Sequence, residues 1–170
     1  MTEPPGLSTV NEWSDEQAVA LLTECCSSTV WARRVAAARP FRTAEELYTR
    51  ADEVLAELTE AEIDEALAGH PRIGDRPDNA SSAREQSAVA SADRELRAKL
   101  RAGNEEYERK FGHVYLVCAS GRSAQELLDV LHRRLDNDSS TERRVLRAEL
   151  AAINRLRLVR LLNHSTEGGR

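Results

Sequence analysis

Aromatic residues are scarce in this chain, with two Phe, two Trp and three Tyr among 170 residues. Together with few β-branched side chains this leaves little of what strands favour, and a β-rich fold is excluded. Cysteine is also rare. There are three, and the adjacent Cys25 and Cys26 cannot easily pair with each other, so no disulfide framework is expected and a reducing cytoplasm fits. No apolar run approaches the ~20 residues of a membrane span. The opening MTEPPGLSTVNEW has neither the basic nor the apolar region of an export signal, so the expectation is a soluble, unexported protein without a membrane partner. Cationic excess is missing too: 24 Lys and Arg stand against 29 Asp and Glu, and the net charge of −5 argues against a nucleic-acid partner. The chain carries no GxGxxG, GxxxxGK[ST] or GxSxG segment, which removes motif support for dinucleotide, P-loop and α/β-hydrolase chemistry. His70, His113, His132 and His164 show neither the i, i+4 spacing nor the Cys neighbours of a zinc site, so no metal is expected.

Ala, Leu, Arg and Glu dominate, and these are strong helix formers. The fold class expected is all-α, a single compact helical domain over residues 1–170, with disordered ends at about 1–10 and 164–170. At this length about two thirds of the unfolded surface can be buried, so neither metal nor disulfide is needed to hold it. Helix starts are signalled by Ser or Thr followed three residues later by Glu or Gln, at Ser14/Gln17, Thr43/Glu46, Thr59/Glu62, Ser82/Glu85, Ser123/Glu126 and Ser139/Glu142. Helical spacing predicts elements over 15–26, from Thr29 to before Pro40, over 44–58 and 60–67, from Ala83 to about Arg101, up to Phe111, over 124–135 and over 142–162, roughly eight in all. Gly103 reads as an interruption. VYLVCA, residues 114–119, is an unbroken apolar run with no strand to pair with, and is expected to be a buried extended or short helical connector.

Between residues 68 and 82 the sequence AGHPRIGDRPDNASS breaks every regular pattern, and long irregular stretches inside compact domains often carry function. His70 lies there between Gly69 and Pro71, where it can either shuttle protons near neutral pH or cap the preceding helix. Ser82 and Glu85 have capping-box spacing, and with Gln86 they also gather hydrogen-bonding groups at a helix start that attracts anions. Arg157 falls on the apolar stripe of Leu146, Leu150 and Ile153, so it must meet an anion or reach back to water. The cysteines read as small buried hydrophobes, and neither Cys25 nor Cys118 carries a cue for an activated thiolate.

GHPRIGD at 69–75, SAREQ at 82–86 and YERKFGHVYLVCASGRS at 107–123, with the earlier CCSSTVWARRVAAARPF, together resemble the 2-oxo-4-hydroxy-4-carboxy-5-ureidoimidazoline (OHCU) decarboxylases of uric acid degradation. The resemblance runs from about Asn11 to Leu162. It implies an all-helical, cofactor-free carboxy-lyase, commonly a homodimer, that converts the small-molecule substrate OHCU to (S)-allantoin and CO₂. It also implies catalytic roles for His70 and Glu85. Pro71, Ser82, Ala83, Arg84, Gln86, Tyr115, Leu116, Val117, Cys118, Ala119 and Arg157 would contact the substrate, with backbone groups of the 115–119 run among the contacts. The end Gly168-Gly169-Arg170 differs from the peroxisomal address of some members and supports a cytoplasmic, bacterial type. Two other readings stay open at this point: a non-catalytic helical interaction module, and a hydrolase of a related ureido compound.

Overall fold

The computed structural model describes residues 6–73 and 80–164, apart from the side chains of 80–82 and 164. Among the described residues there are ten helices and no strand: α1 (Gly6–Glu12), α2 (Asp15–Cys25), α3 (Thr29–Ala37), α4 (Ala44–Glu57), α5 (Glu60–Leu67), α6 (Ala80–Glu85), α7 (Ser87–Ala90), α8 (Arg94–Phe111), α9 (Ala124–Arg134) and α10 (Ser139–His164). The all-α expectation is met. Residues 114–119 form a largely buried connector that is neither helix nor strand, in keeping with the apolar run.

Two helices exceed the expected number. The segment expected to lack order up to residue 10 forms α1, which buries Leu7 and Val10. Its attachment is polar as well: Asn11 clasps the Phe41 peptide by two 2.8 Å bonds, and Arg39 Nη1 donates to the Val10 and Trp13 carbonyls at 2.9 and 2.7 Å. The other extra element arises because the stretch expected to run from Ala83 is broken at Gln86 and again before Asp93. The opposite error occurs at Gly103, which does not interrupt α8. A Cβ there would lie 2.5 Å from Leu131 Cδ2, so glycine serves the close packing of α8 on α9 rather than a turn. The calls on Gly74 to Asn79 and on the end after His164 lie outside the described residues.

The capping signals divide by context. Ser14 and Thr59 form full capping boxes with Gln17 and Glu62, while Thr43 and Ser123 accept from the N–H groups of Glu46 and Glu126. Ser28 and Asp93 cap α3 and α8 without any Glu or Gln three residues on. At Ser139/Glu142 the expectation fails. Ser139 already lies inside α10, and Asp138 accepts from the Thr141 N–H at 2.7 Å in its place.

The chain forms two compact units, residues up to Gly69 together with Ala151 onward, and residues His70–Leu150. In the first, α2 packs on α3 and α3 on α4, and the fully buried Trp31 donates its indole N–H to the Ala51 carbonyl at 3.1 Å. The second is centred on Leu100, Tyr107, Tyr115, Leu127 and Leu131. Within that core lies an ion pair. Glu142, fully buried, accepts from Arg134 Nε at 2.6 Å, from the Tyr107 hydroxyl and from Asn137 Nδ2 at 3.1 Å. Arg134 also donates to the Leu116 carbonyl at 2.6 Å and lies 4.9 Å over the Tyr115 ring.

Candidate active site

His70 is half-buried in a bend just after α5, followed by half-buried Pro71, exposed Arg72 and buried Ile73. Two anchors fix this stretch within the second unit. Arg72 grips Glu108 of α8 through paired contacts of 2.5 and 3.0 Å, and the Ile73 carbonyl accepts from Asn104 Nδ2 at 2.8 Å. In the first unit, the preceding Gly69 packs against the turn after α2. A Cβ at Gly69 would fall 1.8 Å from Ser27 Oγ and 2.7 Å from Ser27 Cβ, a clash that rotating the hydroxyl cannot relieve. Gly69→Ala is therefore expected to cost about 1–3 kcal/mol of stability, in the range of overpacking substitutions. Chemical denaturation should show it, and adding Ser27→Gly should restore most of the loss.

Of the SAREQ segment, Ala83 and Arg84 are exposed, Glu85 is half-buried and Gln86 is 8% exposed. The Ser82 side chain lies outside the described residues. The capping box expected of Ser82 and Glu85 therefore lies outside the described residues, and α6 itself begins two residues before Ser82, at Ala80, and closes on Glu85. Ser-x-x-Glu inside a short helix has the same spacing as Ser-x-x-Glu at its start, so the pattern alone could not separate the two. Glu85 is the last residue of α6, and its side chain is half-buried.

The 115–119 connector is held from several directions. The Tyr115 hydroxyl donates to the Leu127 carbonyl at 2.9 Å, Arg134 holds the Leu116 carbonyl, and the Cys118 N–H donates to Glu149 Oε2 at 2.8 Å. The Ala119 carbonyl accepts from the Arg122 N–H at 3.1 Å. Tyr115, Leu116, Val117 and Ala119 are buried and Cys118 is half-buried. Several of the backbone groups expected to meet a ligand are thus already engaged by the protein itself. Burial pushes the Cys118 thiol up, and the carboxylates of Glu149 and Glu85 push it further. Glu149 was not singled out by the sequence reading. Its signal was present, since it stands three residues after Leu146 and four before Ile153, at the edge of the apolar stripe.

Arg157 does not reach back to water: it is 7% exposed, and Nη1 donates to the Cys25 carbonyl at 3.2 Å. Arg157 and Gly69 thus both attach to residues 25–27 within the first unit. The cysteines there are not poised as nucleophiles. Burial pushes the Cys25 thiol up to about 12 despite the opposing charge of Arg157, and burial raises Cys26 as well. Among the described residues no group of three or more His, Cys, Asp or Glu side chains could hold a metal ion, and no helix is long and apolar enough to cross a membrane.

A family model described as OHCU decarboxylase matches residues 11–159. The chain is 31% identical over 147 residues to the uric acid degradation bifunctional protein TTL of Arabidopsis thaliana, covering 82% of this chain and 45% of that protein. It thus spans less than half the length of that relative. It is 26% identical over 156 residues to the 2-oxo-4-hydroxy-4-carboxy-5-ureidoimidazoline decarboxylase of Haloferax volcanii, covering 89% of this chain and 93% of that one. A crystal structure of OHCU decarboxylase in the presence of (S)-allantoin superposes with a TM-score of 0.76 at 27% identity, over 88% of this chain and 99% of that chain.

Proposed function

This chain belongs to the OHCU decarboxylase family, and we propose that it decarboxylates OHCU to (S)-allantoin and CO₂ in uric acid degradation, as a cytoplasmic homodimer that needs no metal or organic cofactor. The observation that carries the reading is Arg157, a guanidinium 7% exposed on the apolar face of α10. Its planar fork, held in place by the bond of Nη1 to the Cys25 carbonyl, has the geometry that recognises a carboxylate. The 170 residues are read as one functional domain because the family model runs through residues of both units.

Loss of CO₂ leaves an electron pair on carbon, which needs an adjacent sink and then a proton delivered to one face. OHCU supplies the sink in its own ring and carbonyl, so the protein has to bind, manage protons and exclude water. His70 is assigned the proton transfer, and Arg157 an anionic group of the substrate. Glu85 and Gln86 orient the ureido and ring N–H groups, with Pro71 and the segment Ser82–Arg84 completing the contacts. The connector from Tyr115 to Ala119 shields the intermediate. Its burial and its multiple anchors support that role.

A circular dichroism trace of allantoin formed from freshly made OHCU, with and without the protein, tests the reading. Protein-dependent appearance of the (S) enantiomer together with CO₂ is the expected result. Substrate loss without CO₂ would favour a hydrolase of the ureido group, and no protein-dependent change would favour the interaction module.

A further inference from the structure

The second unit contains a cavity of about 420 Å³, lined by Arg72 and Ile73 and by Arg97, Arg101, Asn104, Glu105 and Glu108 along α8. That volume lies within the range of small-molecule sites. Its charges are unevenly matched. Arg72 and Glu108 neutralise one another in a bidentate pair. Arg97 and Arg101, one helical turn apart, have no carboxylate within 4.0 Å among the described residues, and Glu105 has no cation. This holds although Arg101 and Glu105 stand at the i, i+4 spacing that ordinarily pairs. Beside them Asn104 is 2% exposed. Its Nδ2 donates to the Ile73 and Leu100 carbonyls at 2.8 and 2.9 Å, while its Oδ1 has no hydrogen-bond partner. That oxygen has almost no accessible surface, so it lies behind the cavity wall, and the unmatched groups within a ligand's reach are Arg97, Arg101 and Glu105.

We infer that this cavity binds a small carboxylate that also carries N–H donors, the chemistry shared by amino acids and ureido acids. The carboxylate meets the two guanidinium forks of Arg97 and Arg101, and the N–H groups serve Glu105. A dianion is disfavoured because its second charge meets Glu105. A plain cation is disfavoured by the two unpaired arginines. The inference does not depend on the proposed decarboxylation, since all seven lining residues are distinct from those assigned to the substrate.

Isothermal titration of the full chain with N-carbamoylglycine and with glycine tests it, using butyrate as a carboxylate that lacks N–H donors. At least one of the first two should bind, and which one does tells a ureido acid from an amino acid. Butyrate should bind at least about tenfold more weakly. Arg97→Gln/Arg101→Gln, which alters two exposed side chains and should leave the thermal midpoint unchanged, should weaken the binding by at least about tenfold. The inference is overturned if neither N–H-bearing probe binds up to about 10 mM, if butyrate binds as well as they do, or if the double variant binds like the parent.

Discussion

Replacing His70 by asparagine is expected to lower the rate of decarboxylation by about 10²–10⁴-fold, the usual contribution of a positioned proton-transfer group. Asparagine keeps hydrogen-bonding capacity and much of the size, and it loses the ability to take up and release a proton near neutral pH. Folding should survive the change. The stretch that follows His70 is fixed by its neighbours, through Arg72 on Glu108 and the Ile73 carbonyl on Asn104, and those bonds do not involve the imidazole. The two effects are separated by measuring turnover under saturating OHCU and the thermal midpoint on the same preparation. A slow, stable variant assigns His70 to chemistry, whereas a variant that is stable and turns over normally removes the centre of the mechanism. Glu85→Gln makes a useful companion. A loss of turnover in that variant with an unchanged thermal midpoint reports the carboxylate's charge at the site.

How far the sequence carried the reader depended on whether the cause was local. Helix α5 was legible to the residue, because Thr59 and Glu62 bracket its first turn and each satisfies the other's backbone N–H. The inward position of Arg157 was legible from the stripe of Leu146, Leu150 and Ile153, since helical periodicity fixes a face regardless of what lies opposite. Its bond to the Cys25 carbonyl was not legible, because that group comes from a residue 132 positions away. Gly103 misled for the same reason: a glycine in a helix looks like a break until the neighbouring Leu131 is known. The Ser139/Glu142 signal failed most instructively. Asp138 performs the cap, and the glutamate that seemed to complete it is fully buried in an ion pair with Arg134. Spacing cannot distinguish a carboxylate that returns to its own helix start from one that turns inward.

That ion pair sets the largest expected effect on stability. Arg134 and Glu142 are 5% and 0% exposed, and removing one member leaves the other's charge in the core, at a typical cost of about 3–5 kcal/mol. Arg134→Met should show this in denaturant unfolding, because the Glu142 carboxylate keeps only the Tyr107 hydroxyl and the Asn137 amide. The same substitution deprives the Leu116 carbonyl of its donor. Arg134→Met/Glu142→Leu should be markedly less destabilised than Arg134→Met alone, since a well-packed apolar pair escapes the desolvation cost that the ions bear. Equal losses in the single and double variants would mean that the bond to Leu116 and the stacking on Tyr115, rather than the ion pair, are what Arg134 contributes. The double variant also reaches function. The Leu116 carbonyl belongs to the connector assigned to shield the intermediate, and in the double variant it is no longer held by Arg134. Recovered stability with turnover still depressed would show that Arg134 fixes the connector in position for the reaction as well as supporting the core of the second unit.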